Sequence, residues 1–196
     1  MPKLWTETIE THRQEVREAI LETTWSLAAE HGAMSVTMSH IAQESGIGRA
    51  TLYKYFPNVE TILHAWHERH VLDQLARLTE LRHAPGDASD TLEAVALAYA
   101  RICHHRGQYG SIEMFTLLHK PEHVAGPEKQ LLGLFTEVLA DAAADARIRG
   151  DTSPRELAVY CVHALGAAAG LPSDAAVRRL VTVTLSALRR GGSETI

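Results

Sequence analysis

The sequence predicts an all-α protein, and three observations carry that prediction. Apolar residues recur at three- and four-residue spacing along most of the chain, no segment alternates with the two-residue period of a strand, and Gly, Pro and capping residues fall between the apolar stripes. The 196 residues are 45% hydrophobic and 22% charged, enough apolar material for a real core. No run approaches the roughly 18 to 20 uninterrupted apolar residues of a membrane span. The opening stretch "MPKLWTETIETHRQEVREAI" is charged throughout and lacks the apolar region of a signal peptide. Cys103 and Cys161 are not in a C-x-x-C pair and read as reduced thiols, so a cytoplasmic protein is expected.

In chain order, the first helix sets Val16, Ile20, Leu27 and His31 on one face with Ala19, Thr23, Thr24 and Ala28, and Gly32 stops it. Thr37 stands where an N-cap belongs before "MSHIAQES", and Gly46 ends that short helix. A third helix spans about Arg49 to Phe56, because Pro57 disfavours helical backbone in the residue before it. Asn58 then caps a long fourth helix reaching about Arg82, with Ile62, Leu63, Trp66, Leu72, Leu75 and Leu78 as apolar positions. "HAPGDASD" is the clearest linker. Beyond it, Leu92, Val95, Ala96, Tyr99, Ile102 and Cys103 form a stripe, and "SIEMFTLLHK" is a short helix ended by Pro121. Leu131, Leu134, Phe135, Val138 and Ala142 form another stripe, with Gly150 as its expected stop. Pro154 opens the helix of "ELAVYCVHALGAAAG". Ser173 or Asp174 caps the last helix, whose stripe is Val177, Leu180, Val181, Thr184, Leu185 and Leu188.

The stretch "IAQESGIGRATLYKYF", Ile41 to Phe56, is the most specific. Two short helices joined by Gly46-Ile47-Gly48 have the spacing of a helix-turn-helix: Ala42 lets the helices cross closely, Gly46 permits positive φ, and Ile47 plugs the core. Such a unit offers the start of its second helix to the DNA major groove. Arg49, Ala50 and Thr51 are then placed for base edges, and Tyr53, Lys54 and Tyr55 for flanking phosphates or bases. Bulk charge does not support wide nucleic-acid contact. The chain carries −5, and residues 1–80 hold seven Lys/Arg against eleven Asp/Glu, a balance of −4. Residues 33–58 hold Arg49 and Lys54 against Glu44, a balance of +1. The contact must be small and placed by geometry. His64, His67 and His70 step along the fourth helix in threes; such steps drift by about 60° each, so the three cannot share one tetrahedral metal, and no metal is expected.

The segment "SVTMSHIAQESGIGRATLYKYFPNVETIL", residues 35–63, resembles the tetracycline-repressor-like (TetR) family of bacterial transcription regulators. Thr37, Ile41, Ala42, Gly46, Thr51, Leu52, Tyr53 and Phe56 match that family's pattern. Val59 departs from it, standing where a phosphate-contacting lysine is usual, and His40 stands where an acidic residue commonly completes a capping box. The resemblance implies a helix-turn-helix DNA-binding domain over residues 1–57 and a helical effector-binding and dimerisation domain over residues 58–196. The implied protein is a repressor, not an enzyme and without a cofactor. It binds double-stranded palindromic operator DNA as a homodimer and is released by a small-molecule effector.

Thr37 and Asn58 join Arg49, Ala50, Thr51, Tyr53, Lys54 and Tyr55 as expected DNA contacts. The stripe of the last helix and the small residues of "HALGAAAG" place the dimer interface at Leu165, Val177, Val181, Thr184, Leu185 and Leu188. Polar-tipped and aromatic residues on apolar stripes mark the effector pocket: Trp66 and His70, Tyr99 and Cys103, Met114, Phe115 and His119, Phe135, and Tyr160 and His163. That mix suits a largely apolar, uncharged or weakly acidic ligand. The competing reading is a helical ligand- or metal-binding protein without DNA-binding activity.

Overall fold

In a computed structural model that describes residues 3–109 and 121–189, α1 (Lys3–His31) turns Ile20, Leu21, Thr24, Leu27 and Ala28 inward. Thr24 tolerates burial because its hydroxyl donates to the Ile20 carbonyl at 2.7 Å. Gly32 leaves the helix at φ 83°, a left-handed turn that favours glycine, and a 3-10 turn (Ala33–Ser35) leads to α2 (Met38–Ser45). α3 (Arg49–Tyr55) and α4 (Val59–His83) follow. The described residues divide into two compact units, with the boundary inside α4 between His70 and Val71. The first unit is centred on Ile20, Leu21, Ile41, Leu52, Ile62 and Leu63, all at 0–1% exposure. Arg69 of α4 ties to α1 through the carboxylates of Glu18 and Glu22.

The second unit holds the rest of α4 with α5 (Ala88–Tyr109), α6 (Pro121–Ala144), α7 (Pro154–Gly166), a second 3-10 turn (Ala167–Gly170) and α8 (Asp174–Ser186). Its core is built on Val95, Ala96, Phe135, Leu139, Leu165 and Leu188. Asp87 in the linker accepts from the Asp90 N–H at 2.8 Å and so starts α5. Ser153 and Glu156 form a full capping box at the head of α7, with Pro154 in its first turn. Ser173, the first of the two expected candidates, caps α8 through the Ala176 N–H at 3.3 Å. Asp174 meets Arg101 of α5 at 2.8 Å and Arg178 at 2.9 Å. Hydrogen bonds from those two guanidinium groups hold its carboxyl down to about 2.

α6 stops at Ala144, earlier than the expected Gly150. Ala146 takes the left-handed conformation at φ 54°, and the Arg147 N–H reaches back to the Ala142 carbonyl at 3.0 Å. An alanine there gives up roughly 1–2 kcal/mol to Cβ crowding, while glycine gives back roughly half of that through its freer unfolded chain. Ala146→Gly is therefore expected to stabilise the protein by about 0.5–1 kcal/mol in urea unfolding. A destabilised variant would show that the turn is not strained.

At the far end of α5 the backbones meet. A Cβ at Gly107 would stand 2.0 Å from the Ala169 carbonyl oxygen, and the His104 Nδ1 lies 3.3 Å from the Ala168 carbonyl, so α5 rests directly on the 3-10 turn between α7 and α8. Among the described residues no helix is long and apolar enough to cross a membrane, and no group of three or more His, Cys, Asp or Glu is placed to hold a metal.

Candidate nucleic-acid interface

The geometry of the motif starts at Thr37. Its backbone is extended and its hydroxyl accepts from the His40 N–H at 3.2 Å, which satisfies one of the free donors at the head of α2. Gly46 closes the same helix at φ 68°, ψ 13°, left-handed as the turn requires. Gly48 accepts from both Thr51 and Leu52 N–H groups at 2.9 Å and starts α3. Phe56 leaves α3 extended at φ −144°, ψ 133°, consistent with the constraint from Pro57. Asn58 caps α4: its Oδ1 accepts from the Thr61 N–H at 2.9 Å, and its carbonyl accepts from the Thr61 hydroxyl at 2.8 Å. The Asn58 carboxamide oxygen is thus committed to the helix.

These caps hold the second helix so that its two faces separate. Leu52 is fully buried, while Arg49, Ala50, Thr51, Tyr53 and Lys54 all face solvent. Tyr53 is 49% exposed, a large aromatic side chain left outside the core beside a cation. Thr37 and Asn58 are exposed as well, so seven of the eight expected DNA contacts are presented outward. Tyr55 differs: it is half-buried and packs against the core of the first unit, because it sits one residue before the buried Phe56 on the inner edge of α3. Ile47 and Val59 also lie half-buried against that core. A lysine at position 59 would have to leave this packing to meet a phosphate, so the apolar residue serves the fold at that position.

The expected pocket residues fall into different surroundings. Trp66 is 6% exposed and sandwiched between Trp25 of α1, 3.6 Å away at 4°, and His70, 4.7 Å away at 15°. Its indole N–H is buried with no hydrogen-bond partner among the described residues. In the second unit Tyr99 meets Phe135 edge-on at 5.5 Å. Burial raises the Tyr99 phenol and the Cys103 thiol above their ordinary pKa values. Burial likewise pushes the Cys161 thiol up to about 12, which keeps it protonated and unreactive at neutral pH. Tyr160 is 42% exposed, and His163 is exposed with its Nδ1 2.9 Å from the Val159 carbonyl. Met114, Phe115 and His119 lie outside the described residues.

The residues expected at a dimer interface point the other way. Leu165, Val177, Val181, Thr184 and Leu188 are at 0–4% exposure inside the second unit's own core, and Leu185 is half-buried against it. The same two helices turn Val159, Tyr160 and His163 of α7 and Val183 of α8 outward, Val183 being 64% exposed. The apolar stripe of α8 was legible as a stripe, but its partner is the monomer. Val183 lies off that stripe and is an exposed apolar residue of α8.

A capped helix, a left-handed glycine turn and an exposed second helix together have the architecture of a helix-turn-helix unit. Residues 20–66 match the family model described as bacterial regulatory proteins, tetR family. Among solved structures, a TetR/AcrR-family transcriptional regulator from Thermobifida fusca superposes with a TM-score of 0.75 at 18% identity, over 89% of this chain and 98% of that one. A TetR-family regulator from Pectobacterium atrosepticum gives 0.69 at 16% identity, over 90% and 93%. SmeT in complex with triclosan gives 0.65 at 20% identity, over 90% and 93%. These likenesses establish the fold. No curated protein matches the sequence significantly.

Proposed function

We propose that this chain is a cytoplasmic repressor that binds palindromic operator DNA as a homodimer and is released by a small, largely apolar ligand. The observation that carries the reading is the outward row of Arg49, Ala50, Thr51, Tyr53 and Lys54 on a helix whose opposite face is locked by Leu52. Arg49 and Thr51, at the start of α3, discriminate bases; Lys54 and Tyr53 hold flanking phosphates; Thr37 and Asn58 add exposed polar contacts at two helix starts. The DNA-binding function resides in residues 1–57, and residues 58–196 serve dimerisation and ligand binding. α7 and α8 form the interface, through the exposed Val159, Tyr160, His163 and Val183. Two such helices from each chain make a four-helix contact with two-fold symmetry.

The ligand enters beside Tyr99, Cys103 and Phe135, where an aromatic pair offers an apolar wall and the neighbouring phenol a polar point. SmeT, which shares the fold, is found in complex with triclosan. A ligand that favours a different spacing of the two recognition helices weakens operator binding by its differential affinity, typically about 1–3 kcal/mol.

Selection of duplexes from a pool of genomic fragments tests the reading. A short palindromic site is expected, with Arg49→Ala losing about 1–3 kcal/mol of discrimination at one base position per half-site. Lys54→Ala is expected to weaken all sequences alike and to lower the salt slope by about 1 per monomer. Retention of no duplex would leave a helical ligand-binding protein without DNA-binding activity.

A further inference from the structure

Arg17 of α1 places its guanidinium 5.3 Å from the ring centroid of Phe56, the residue that ends the recognition helix. We propose that Arg17 is a further DNA contact, a phosphate clamp mounted on the end of α3; this rests on the DNA-binding reading above and adds a site on a different helix.

The arrangement leaves Arg17 uncommitted. Arg69, Arg82, Arg101, Arg147, Arg149 and Arg178 each meet a carboxylate, whereas Arg17 has no ion pair among the described residues. The two carboxylates nearest to it along α1 toward the C-terminus, Glu18 and Glu22, are both taken by Arg69. Glu15 lies 3.7 Å from His12 on another side of α1, and Glu10 is two turns away, about 10 Å along the axis. A guanidinium carries five N–H donors in one plane, a fork that can meet two oxygens at once. Phe56 is buried and Arg17 half-buried, so the guanidinium is held beside the end of α3. Such a fork suits the paired oxygens of a phosphate.

Position and charge agree with this use. Phe56 lies between Lys54 and Asn58, both exposed and both on the side expected to meet the backbone of the duplex. Arg13, exposed one turn before Arg17, lies on the same side of α1. The helix-turn-helix segment itself supplies only Arg49 and Lys54, so a cation from α1 adds substantially to the charge available for phosphate neutralisation.

The test uses the full-length protein and a labelled duplex recovered by selection, with affinity followed by fluorescence anisotropy across a salt series. Arg17→Met keeps the apolar cover over Phe56 and removes the charge and the fork. Its expected effect is a loss of about 1 from the salt slope per monomer, equal on the selected and on a scrambled duplex. Arg17→Lys restores the slope while recovering only part of the affinity, since a point charge cannot fork. Thermal melting of each variant separates the alternative role. If Arg17→Met melts lower but keeps the wild-type salt slope, Arg17 is only a lid on Phe56 and the proposal is overturned. If Arg49→Ala and Lys54→Ala also leave binding unchanged, the failure lies in the DNA-binding reading and not in Arg17 alone.

Discussion

A chain carrying Tyr160→Glu and Val183→Glu is expected to sediment as a monomer and to lose tight operator binding, with the helical content of wild type. Both residues are already exposed in the single chain, at 42% and 64%, so neither change burdens the monomer's core. In a two-fold interface each substitution enters twice, bringing four carboxylates against an apolar patch. An unpaired ion buried there costs several kcal/mol, and about 3 kcal/mol already raises the dimer dissociation constant more than a hundredfold. Each monomer then meets a single half-site instead of binding as one of a linked pair. Leu185→Glu is a poorer probe, because Leu185 packs on the second unit's core and its loss would unfold the helix that presents Val183. A doubly substituted chain that remains dimeric would move the interface away from α7 and α8.

Gly107→Ala is expected to be the most damaging single-methyl change in the second unit. Alanine ordinarily favours a helix interior over glycine by about 1 kcal/mol, and the open surroundings of Gly133 on α6 should show that gain. At position 107 the added carbon meets backbone, 2.0 Å from the Ala169 oxygen and 2.8 Å from its Cα, and no side chain can rotate away. α5 must lift off the 3-10 turn, which also breaks the His104 contact to the Ala168 carbonyl. Overpacking of this kind costs about 1–3 kcal/mol or more, beyond what helix propensity returns. Urea unfolding of Gly107→Ala and Gly133→Ala should therefore move in opposite directions. A Gly107→Ala protein as stable as wild type would mean that the close approach is loose in solution.

Much of the architecture was legible because short-range rules act on neighbouring residues. Thr37, Asn58 and Ser173 cap because a short oxygen-bearing side chain can reach an N–H three residues on. Gly46 ends α2 because it alone in that stretch adopts positive φ without Cβ crowding. Those residues set the helix-turn-helix, and with it the outward row from Arg49 to Lys54. Gly150 misled because a glycine is not required for a left-handed stop, and Ala146 accepts the strain. The inward turn of Tyr55 depends on where Phe56 inserts, which is a matter of packing between helices.

The division between the two sources follows from range. Periodicity, caps and turn residues determined that this protein is all-α, that α2 and α3 meet at a glycine turn, and which face of each helix is apolar. They act over a few residues, so one sequence window contains both partners. What covers each apolar face was decided only by the tertiary structure. Leu165, Val177 and Val181 close the second unit's own core, while Val159, Tyr160 and Val183 remain outside it. Arg17 acquires Phe56 as a partner across 39 residues of chain, and Gly107 acquires Ala169 across 62. Such pairings depend on how whole helices cross, a sum over many side-chain volumes that no single spacing in the sequence records.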